Sequence, residues 1–276
     1  MKTLQDPSSD QNKVDTTDSG YACSMGITAT QEQHYQREGW LLTQPFSIAE
    51  MRNIRHWVDE VQAWSDNGDW LHYREMTDHG PRLCRTENFI PFHAHLKTLL
   101  TSGPIIEIAS ALLGETAVLY KEKINYKLSG GAGYAPHQDA PAYPFVTTHV
   151  SCMIAVDDSL VANGCLEVVN ARHQKLLPTN NLGCITDQTV VEMTWQPVEA
   201  LAGDVLWFHS LTPHRSGTNT SDTDRRAMYP TFNALREGDL RDAYYETKLQ
   251  EFRETPHTAN TVQVSLINDF QGRPVE

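Results

Sequence analysis

Between Ala117 and about Ala234 the chain breaks into short runs rich in β-branched and aromatic residues, each closed by Gly, Pro, Asn or Asp, and this texture limits what it can fold into. The runs are Ala117 to Lys127, His149 to Val156, Leu166 to Asn170, Val190 to Val198, Asp204 to His209 and Ala227 to Leu235. Their spacing predicts an antiparallel barrel or sandwich rather than β-α-β units.

Helices precede the strands. Ser47-Ile48-Ala49-Glu50 has the S-x-x-E form of a capping box, and Ile48, Met51, Ile54, Trp57, Val58, Val61 and Trp64 follow at helical spacing. A second helix is predicted from Pro104 to Leu113, closed by Gly114. Gln31 to Arg37 predicts a short helix, Gly39-Trp40-Leu41-Leu42 an entering strand, and Leu240 to about Glu254 a last helix. The result is an α+β class chain: an antiparallel β core over about 117–235 with buttressing helices on one face. Residues 1–29 are rich in Ser, Thr, Asp, Gln and Asn and predict a flexible leader, leaving 30–276 as a single domain.

Composition narrows the partners. The 22 Lys+Arg against 35 Asp+Glu give −13, which disfavours nucleic acid and acidic membranes and leaves a small molecule as the expected partner. No run approaches the ~18 apolar residues of a membrane span, and the N-terminus lacks the apolar core of a secretory signal, so a cytoplasmic location is expected. The five cysteines, Cys23, Cys84, Cys152, Cys165 and Cys184, form no C-x-x-C pair and predict thiols rather than a disulfide framework or zinc ribbon. Nothing in the pattern speaks to oligomeric state.

Two segments carry candidate chemistry. In Gly130-Gly131-Ala132-Gly133-Tyr134-Ala135-Pro136-His137-Gln138-Asp139 a glycine-rich turn delivers His137 and Asp139. Side chains two apart on an extended segment share a face, so an imidazole and a carboxylate can meet one cation. The segment Gly203 to Asn219 is a strand entering a turn that carries His214, and Arg225 lies eleven residues beyond it. Two histidines and one carboxylate leave three coordination positions open on a ferrous ion, room for a chelating cosubstrate and oxygen. A guanidinium would pair with the far carboxylate of a dicarboxylic acid. His209 rivals His214, and Arg226 rivals Arg225; strand alternation lets only one of the two arginines point inward.

HQD at His137 to Asp139, VDDSLVANGCLEVVNARHQK from Val156 to Lys175, GDVLWFHSLTPHRSGTNTS from Gly203 to Ser221, and the following Arg225 stand in one order over roughly Lys121 to Asn233. In these motifs the chain resembles the phytanoyl-CoA dioxygenase superfamily of Fe(II)- and 2-oxoglutarate-dependent oxygenases. The resemblance implies a double-stranded β-helix (jelly-roll, cupin-like) core, with His137, Asp139 and His214 as iron ligands and His209 at the wrong interval from Arg225. It also implies Arg225 and Ser216 on the distal carboxylate of 2-oxoglutarate, with Asn125 and Tyr134 as further cosubstrate contacts. The implied reaction uses O2 and 2-oxoglutarate, is stimulated by ascorbate, releases succinate and carbon dioxide, and hydroxylates a C–H bond. Halogenating relatives replace the carboxylate with a small residue, so the retained Asp139 implies hydroxylation.

In Tyr120-Lys121-Glu122-Lys123-Ile124-Asn125-Tyr126-Lys127, Lys121, Lys123 and Lys127 share the face of Asn125. Inward lysines need an anionic partner; Lys127 is expected instead at the barrel mouth, its amine in water. By resemblance to related small-molecule hydroxylases, Tyr143 and Tyr229 fall at aromatic pocket walls, two faces that could hold a cationic amine, although Tyr143 reads equally as packing against its own Pro141–Pro144 loop. An anion-binding lysine and aromatic walls suggest a small zwitterion, and HQDAPAY resembles bacterial 2-aminoethylphosphonate hydroxylases within the superfamily. The other readings are an acyl-CoA 2-hydroxylase of the same superfamily and a non-enzymatic metabolite- or zinc-binding jelly roll. Arg82 and Arg85 read as a solvated loop, His93 and His95 as diverging at a helix start, and Trp57, Trp64 and Trp70 as core.

Overall fold

The computed structural model describes residues 26–77, 80–143 and 145–254. Cys23 and most of the expected leader lie outside them. Of its last residues, Ile27 is buried and Thr28 caps the first helix, so order begins before residue 30.

The chain opens with α1 (Ala29–Glu38), β1 (Trp40–Thr43) and α2 (Ile48–Gln62), followed by β2 (Leu71–Thr77), β3 (Gly80–Glu87), α3 (Ala94–Thr101) and α4 (Pro104–Leu113). Next come β4 (Ala117–Lys121), β5 (Lys123–Lys127), β6 (Tyr134–His137), β7 (His149–Ala155) and β8 (Leu166–Val168). After α5 (Asp187–Val190) the chain closes with β9 (Gln196–Val198), β10 (Val205–His209), β11 (His214–Ser216), β12 (Arg225–Met228), β13 (Thr231–Ala234) and α6 (Arg241–Glu254).

Two antiparallel sheets result. The large one runs β1-β10-β7-β12-β5-β3-β2, with β13 joining β7 to β4; the small one runs β6-β11-β8-β9. Alternation along the strands assigns the faces. Val150, Cys152 and Ile154 of β7, with Val205 and Trp207 of β10, pack under α1 to α4 in one apolar cluster. Met153, Ala155, Leu206, Phe208 and Ala227 meet Leu166, Val168 and Val198 of the small sheet in another. The large sheet is thus covered by helices on one face and by the small sheet on the other, the jelly-roll arrangement.

The Ser47 capping box forms: Ser47 N donates to Glu50 Oε2 at 2.8 Å, and Glu50 N to Ser47 Oγ at 3.3 Å. Met51, Ile54, Val58 and Val61 bury the inner stripe of α2, while Ile48, read as part of it, is exposed. Residues Ala94–Leu113 are long and apolar enough by composition to cross a membrane. They are two helices, parted at Gly103 with φ +66°, whose Leu96, Leu100, Ile105 and Ile108 lie in the core.

Four expectations change. The β2–β3 ladder and β1 join the large sheet, so the β core is not confined to 117–235. Arg85 sits on β3 opposite Asn125 and is buried, not in a solvated loop. The stretch Val190 to Val198 is a short helix and then a three-residue strand, with Val191 exposed. The run Ala117 to Lys127 is two strands. Where Thr231 faces Lys121 and Phe232 faces Leu119, the β13–β4 register slips, so Tyr120 is the extra residue of a bulge. The slip changes the phase of the strand: Leu119 packs under the helices, whereas Lys121 joins Lys123 and Asn125 on the inner face.

Candidate active site

β6 and β11 pair with His137 directly opposite His214, which brings two residues 77 positions apart to a ring separation of 4.1 Å. Gly133 permits this pairing, since a Cβ there would lie 2.1 Å from Ser216 O. Asp139, two residues beyond His137, reaches across to the large sheet, where Ser151 Oγ on β7 donates to its Oδ2 at 2.8 Å. Its Oδ1 then stands 3.9 Å from His137 Nε2 and 3.8 Å from His214 Nε2. All three donor atoms fall within 4.8 Å of one another.

Backbone carbonyls set the tautomers. His137 Nδ1 donates to Ala135 O at 2.7 Å and His214 Nδ1 to Thr212 O at 3.0 Å, so each Nε2 carries the lone pair that a metal requires. Burial, reinforced by His214, pushes His137 down to about 3, and burial also lowers His214. Burial alone would raise Asp139, but the two imidazoles with Lys121 and Lys123 hold it well below the usual carboxylate range. Neutral imidazoles and an ionised carboxylate are the forms that bind a divalent ion. His209 lies outside this cluster: its Nδ1 accepts from Leu211 N, and its ring stands 5.3 Å from that of His173.

A cavity opens onto the triad, lined also by Lys121, Lys123, Asn125, Tyr134, Tyr143 and Tyr229. A second adjoins it through Asn125, Tyr134 and Tyr229 and reaches Arg225 and Lys127. Alternation sorts the arginines. Arg225 shares the inward phase of Ala227; Arg226 faces outward, clamping Asp157 through Nε and Nη2 and meeting Asp59 of α2. Arg225 is 3 % exposed, gives one hydrogen bond to Gly164 O, and finds no partner for Nε or Nη1 among the described residues. Asn125 Oδ1 is likewise buried without a partner. Ser216 Oγ accepts from Tyr134 N at 3.3 Å, and the Tyr134 hydroxyl accepts from Arg85 at 3.3 Å. Unsatisfied guanidinium nitrogens beside a two-histidine, one-carboxylate set are a fit for a ferrous ion and a dicarboxylate cosubstrate.

Lys127 departs from expectation. It does not reach water but is buried, donating to Gly164 O at 3.2 Å, to Ser216 Oγ at 3.0 Å and to Gly217 O. Lys121 Nζ lies 4.3 Å from the Tyr143 ring centre and Lys123 Nζ 5.2 Å from that of Tyr229. Burial and the neighbouring Lys123 depress the Lys121 amine strongly; burial and Arg85 bring Lys123 down to about 8. Sequence reading missed Ser151 and Thr231, which line the cavity and bond each other at 2.9 Å; their inward phase was available from the alternation of β7 and β13. Arg82 pairs with Asp224 at 2.8 Å, and His93 with Glu60 at 3.0 Å, both as structural contacts.

Known proteins resemble the chain in sequence and fold. The sequence pattern of the phytanoyl-CoA dioxygenase (PhyH) family matches residues 35–227. A methylphosphonate hydroxylase of Gimesia maris is 44 % identical over 254 residues, covering 91 % of this chain and 98 % of the relative. A 2-aminoethylphosphonate dioxygenase of the uncultured bacterium HF130_AEPn_1 is 39 % identical over 233 residues, covering 82 % and 89 %. Among solved structures, EctD from S. alaskensis with 2-oxoglutarate and 5-hydroxyectoine superposes with a TM-score of 0.69 at 17 % identity, over 80 % of each chain. The chain belongs to the phytanoyl-CoA dioxygenase family and is an enzyme of the iron- and 2-oxoglutarate-dependent dioxygenase class.

Proposed function

We propose that the enzyme hydroxylates a C–H bond of a small phosphonate: one O2 and one 2-oxoglutarate are consumed, one oxygen atom enters the substrate and the other succinate, and carbon dioxide leaves. His137, Asp139 and His214 hold the ferrous ion through two Nε2 atoms and one carboxylate oxygen. Arg225 and Ser216 receive the distal carboxylate of 2-oxoglutarate, with Asn125 and Tyr134 flanking it. Bound iron and cosubstrate supply the oxidising equivalents, and ascorbate stimulates by keeping the iron ferrous. The chain's own residues orient, enclose and neutralise: Ser151 fixes the Asp139 carboxylate, and Tyr143 and Tyr229 wall the cavity.

The observation that carries the substrate class is the pair Lys121 and Lys123 in the same cavity as the triad. Neither has a carboxylate within 4 Å among the described residues, and burial and neighbouring cations push both amines down, so a dianion seated between them is the partner that would restore both ammoniums. Of the lining residues only Leu166 and Phe208 lack a polar atom, which suits a short polar substrate better than a fatty acyl thioester. The relatives named for phosphonates support the same class.

The test is anaerobic purification, loading with ferrous iron, 2-oxoglutarate and ascorbate, and exposure to oxygen with methyl-, ethyl- or 2-aminoethylphosphonate. Succinate should form in step with a hydroxylated phosphonate followed by phosphorus NMR. Succinate formation that no phosphonate stimulates sinks the proposal, as does stoichiometric zinc that iron cannot displace.

A further inference from the structure

The cavity beside the triad is unbalanced in charge. Lys121 and Lys123 both line it, and Asp139, the proposed iron ligand, is the only carboxylate among its lining residues. Glu87, a buried acid whose charge also acts on both amines, is 1 % exposed and already engaged, with Lys248 at 2.8 Å and Arg85 at 3.5 Å. The aromatic faces are engaged too. From sequence, Tyr143 and Tyr229 offered walls for a substrate amine, yet each ring has one of the enzyme's own ammonium groups over it, at 4.3 Å and 5.2 Å. A substrate ammonium that enters with the dianion that holds both lysines protonated meets two like charges, no uncommitted acid among the lining residues, and rings already in use.

We infer that the site takes a phosphonate that carries no ammonium group, with Lys121 and Lys123 as the residues that bind the dianion and reject aminophosphonates. This rests on the phosphonate reading above and sharpens it. The same two side chains do both jobs: attraction for the phosphonate oxygens favours every phosphonate equally, and repulsion of a second ammonium separates them. The two phosphonate-named relatives fall on opposite sides of this division, one named for methylphosphonate and the other for 2-aminoethylphosphonate.

The decisive pair is propylphosphonate and 2-aminoethylphosphonate, which differ by a methyl in place of an ammonium at nearly constant shape. Their dissociation constants are measured by calorimetry on the enzyme loaded with iron and 2-oxoglutarate without oxygen, and their turnover is followed with oxygen. Two like charges about 5 Å away in a partly desolvated cavity should weaken 2-aminoethylphosphonate on the order of 100-fold relative to propylphosphonate. Lys123→Met, and separately Lys121→Met, should weaken both ligands while narrowing that ratio. Equal or tighter binding of 2-aminoethylphosphonate overturns the inference and leaves the phosphonate reading standing. A ratio unchanged in both variants overturns the assignment to these lysines. Failure of every phosphonate, methylphosphonate included, to bind or turn over removes the reading underneath.

Discussion

Lys127 and Arg225 stand directly opposite each other on β5 and β12, and both donate to the carbonyl oxygen of Gly164, each at 3.2 Å. Like charges facing across a ladder are destabilising, and neither has a carboxylate within 4 Å among the described residues. An anion between them relieves both. Lys127 places its three N–H groups on Gly164 O, Ser216 Oγ and Gly217 O. Ser216 Oγ, accepting also from Tyr134 N, has both lone pairs occupied, so its own hydrogen is left to donate to a ligand.

Lys127→Met should therefore raise KM for 2-oxoglutarate roughly 10- to 100-fold, the size of the charge-assisted hydrogen bond of about 1.5–3 kcal/mol by which Lys127 turns the Ser216 hydroxyl toward the ligand, with little change in KM for the proposed phosphonate. Gly164→Ala should act in the same direction, because a Cβ there would lie 2.6 Å from Lys127 Nζ on a backbone with φ +71°. Steady-state kinetics with each substrate varied in turn decides it, and an unaltered 2-oxoglutarate KM in Lys127→Met refutes the role.

The hydroxyl of Ser151 turns the Asp139 carboxylate so that Oδ1 faces both imidazoles. Asp139→Ala is expected to abolish iron retention and succinate formation together. Ser151→Ala leaves all three donors in place but frees the carboxylate to rotate, so a loss of about 10- to 100-fold in iron affinity or activity is expected. Iron titration of the two variants checks the order; wild-type affinity in Ser151→Ala contradicts it.

How much of this was legible in sequence depends on whether a residue's role is local. His137 ends β6 and Asp139 follows two residues on, in the bend just past it, so their proximity is local; Arg225 and Arg226 alternate, and their partition needed only the period of a β-strand. The inward set Lys121, Lys123 and Asn125 also followed from alternation, although Leu119 escapes it through the bulge at Tyr120. The β2–β3 ladder was hidden because Arg74, Glu75, Arg82 and Arg85 interrupt its apolar pattern; Arg85 and Glu87 are buried only because long-range partners satisfy them. Lys127 was misjudged for the same reason. Its three acceptors lie 37 to 90 residues away, which no local pattern announces.

Two histidines outside the triad, the buried His149 and the half-buried His209, give the metal-free protein an acid-sensitive stability. Burial pushes His149 down to about 4, and burial with His173 does the same to His209. In the unfolded chain each titrates near ~6.5, so below that pH the unfolded state takes up protons that the folded state refuses. Their contribution is constant above ~6.5 and destabilises progressively as pH falls toward 4, by at most about 1.4 kcal/mol per pH unit for each group. His149 Nε2 has no hydrogen-bond partner among the described residues, and its ring packs edge-on against Tyr143. His149→Phe should keep that contact and flatten the slope. Urea unfolding at pH 7, 6 and 5 measures it, and equal slopes in the two proteins reject the assignment.

Glu122 occupies the corner between β4 and β5, with Lys121 and Lys123 on either side, and α6 holds it by side chain and backbone alike. Arg241 donates from Nη2 to Oε1 at 2.6 Å and from Nε to Oε2 at 3.0 Å, while the Tyr245 hydroxyl bonds both Glu122 O and Glu122 N. The Glu122 side chain is fully buried. Arg241→Met strands that carboxylate without its counter-charge, and a loss of about 3–5 kcal/mol in unfolding free energy is expected. Arg241→Met combined with Glu122→Gln should recover much of this, because what is costly is the uncompensated charge rather than the missing contact. Since the corner aims both lysines, any folded fraction of the single variant should lose affinity for the proposed phosphonate more than for 2-oxoglutarate, whose proposed anchor, Arg225, lies on β12. A single variant as stable as wild type would refute the bracing role of Arg241, and one that weakens both ligands equally would show that α6 braces the fold without setting the geometry of the proposed phosphonate site.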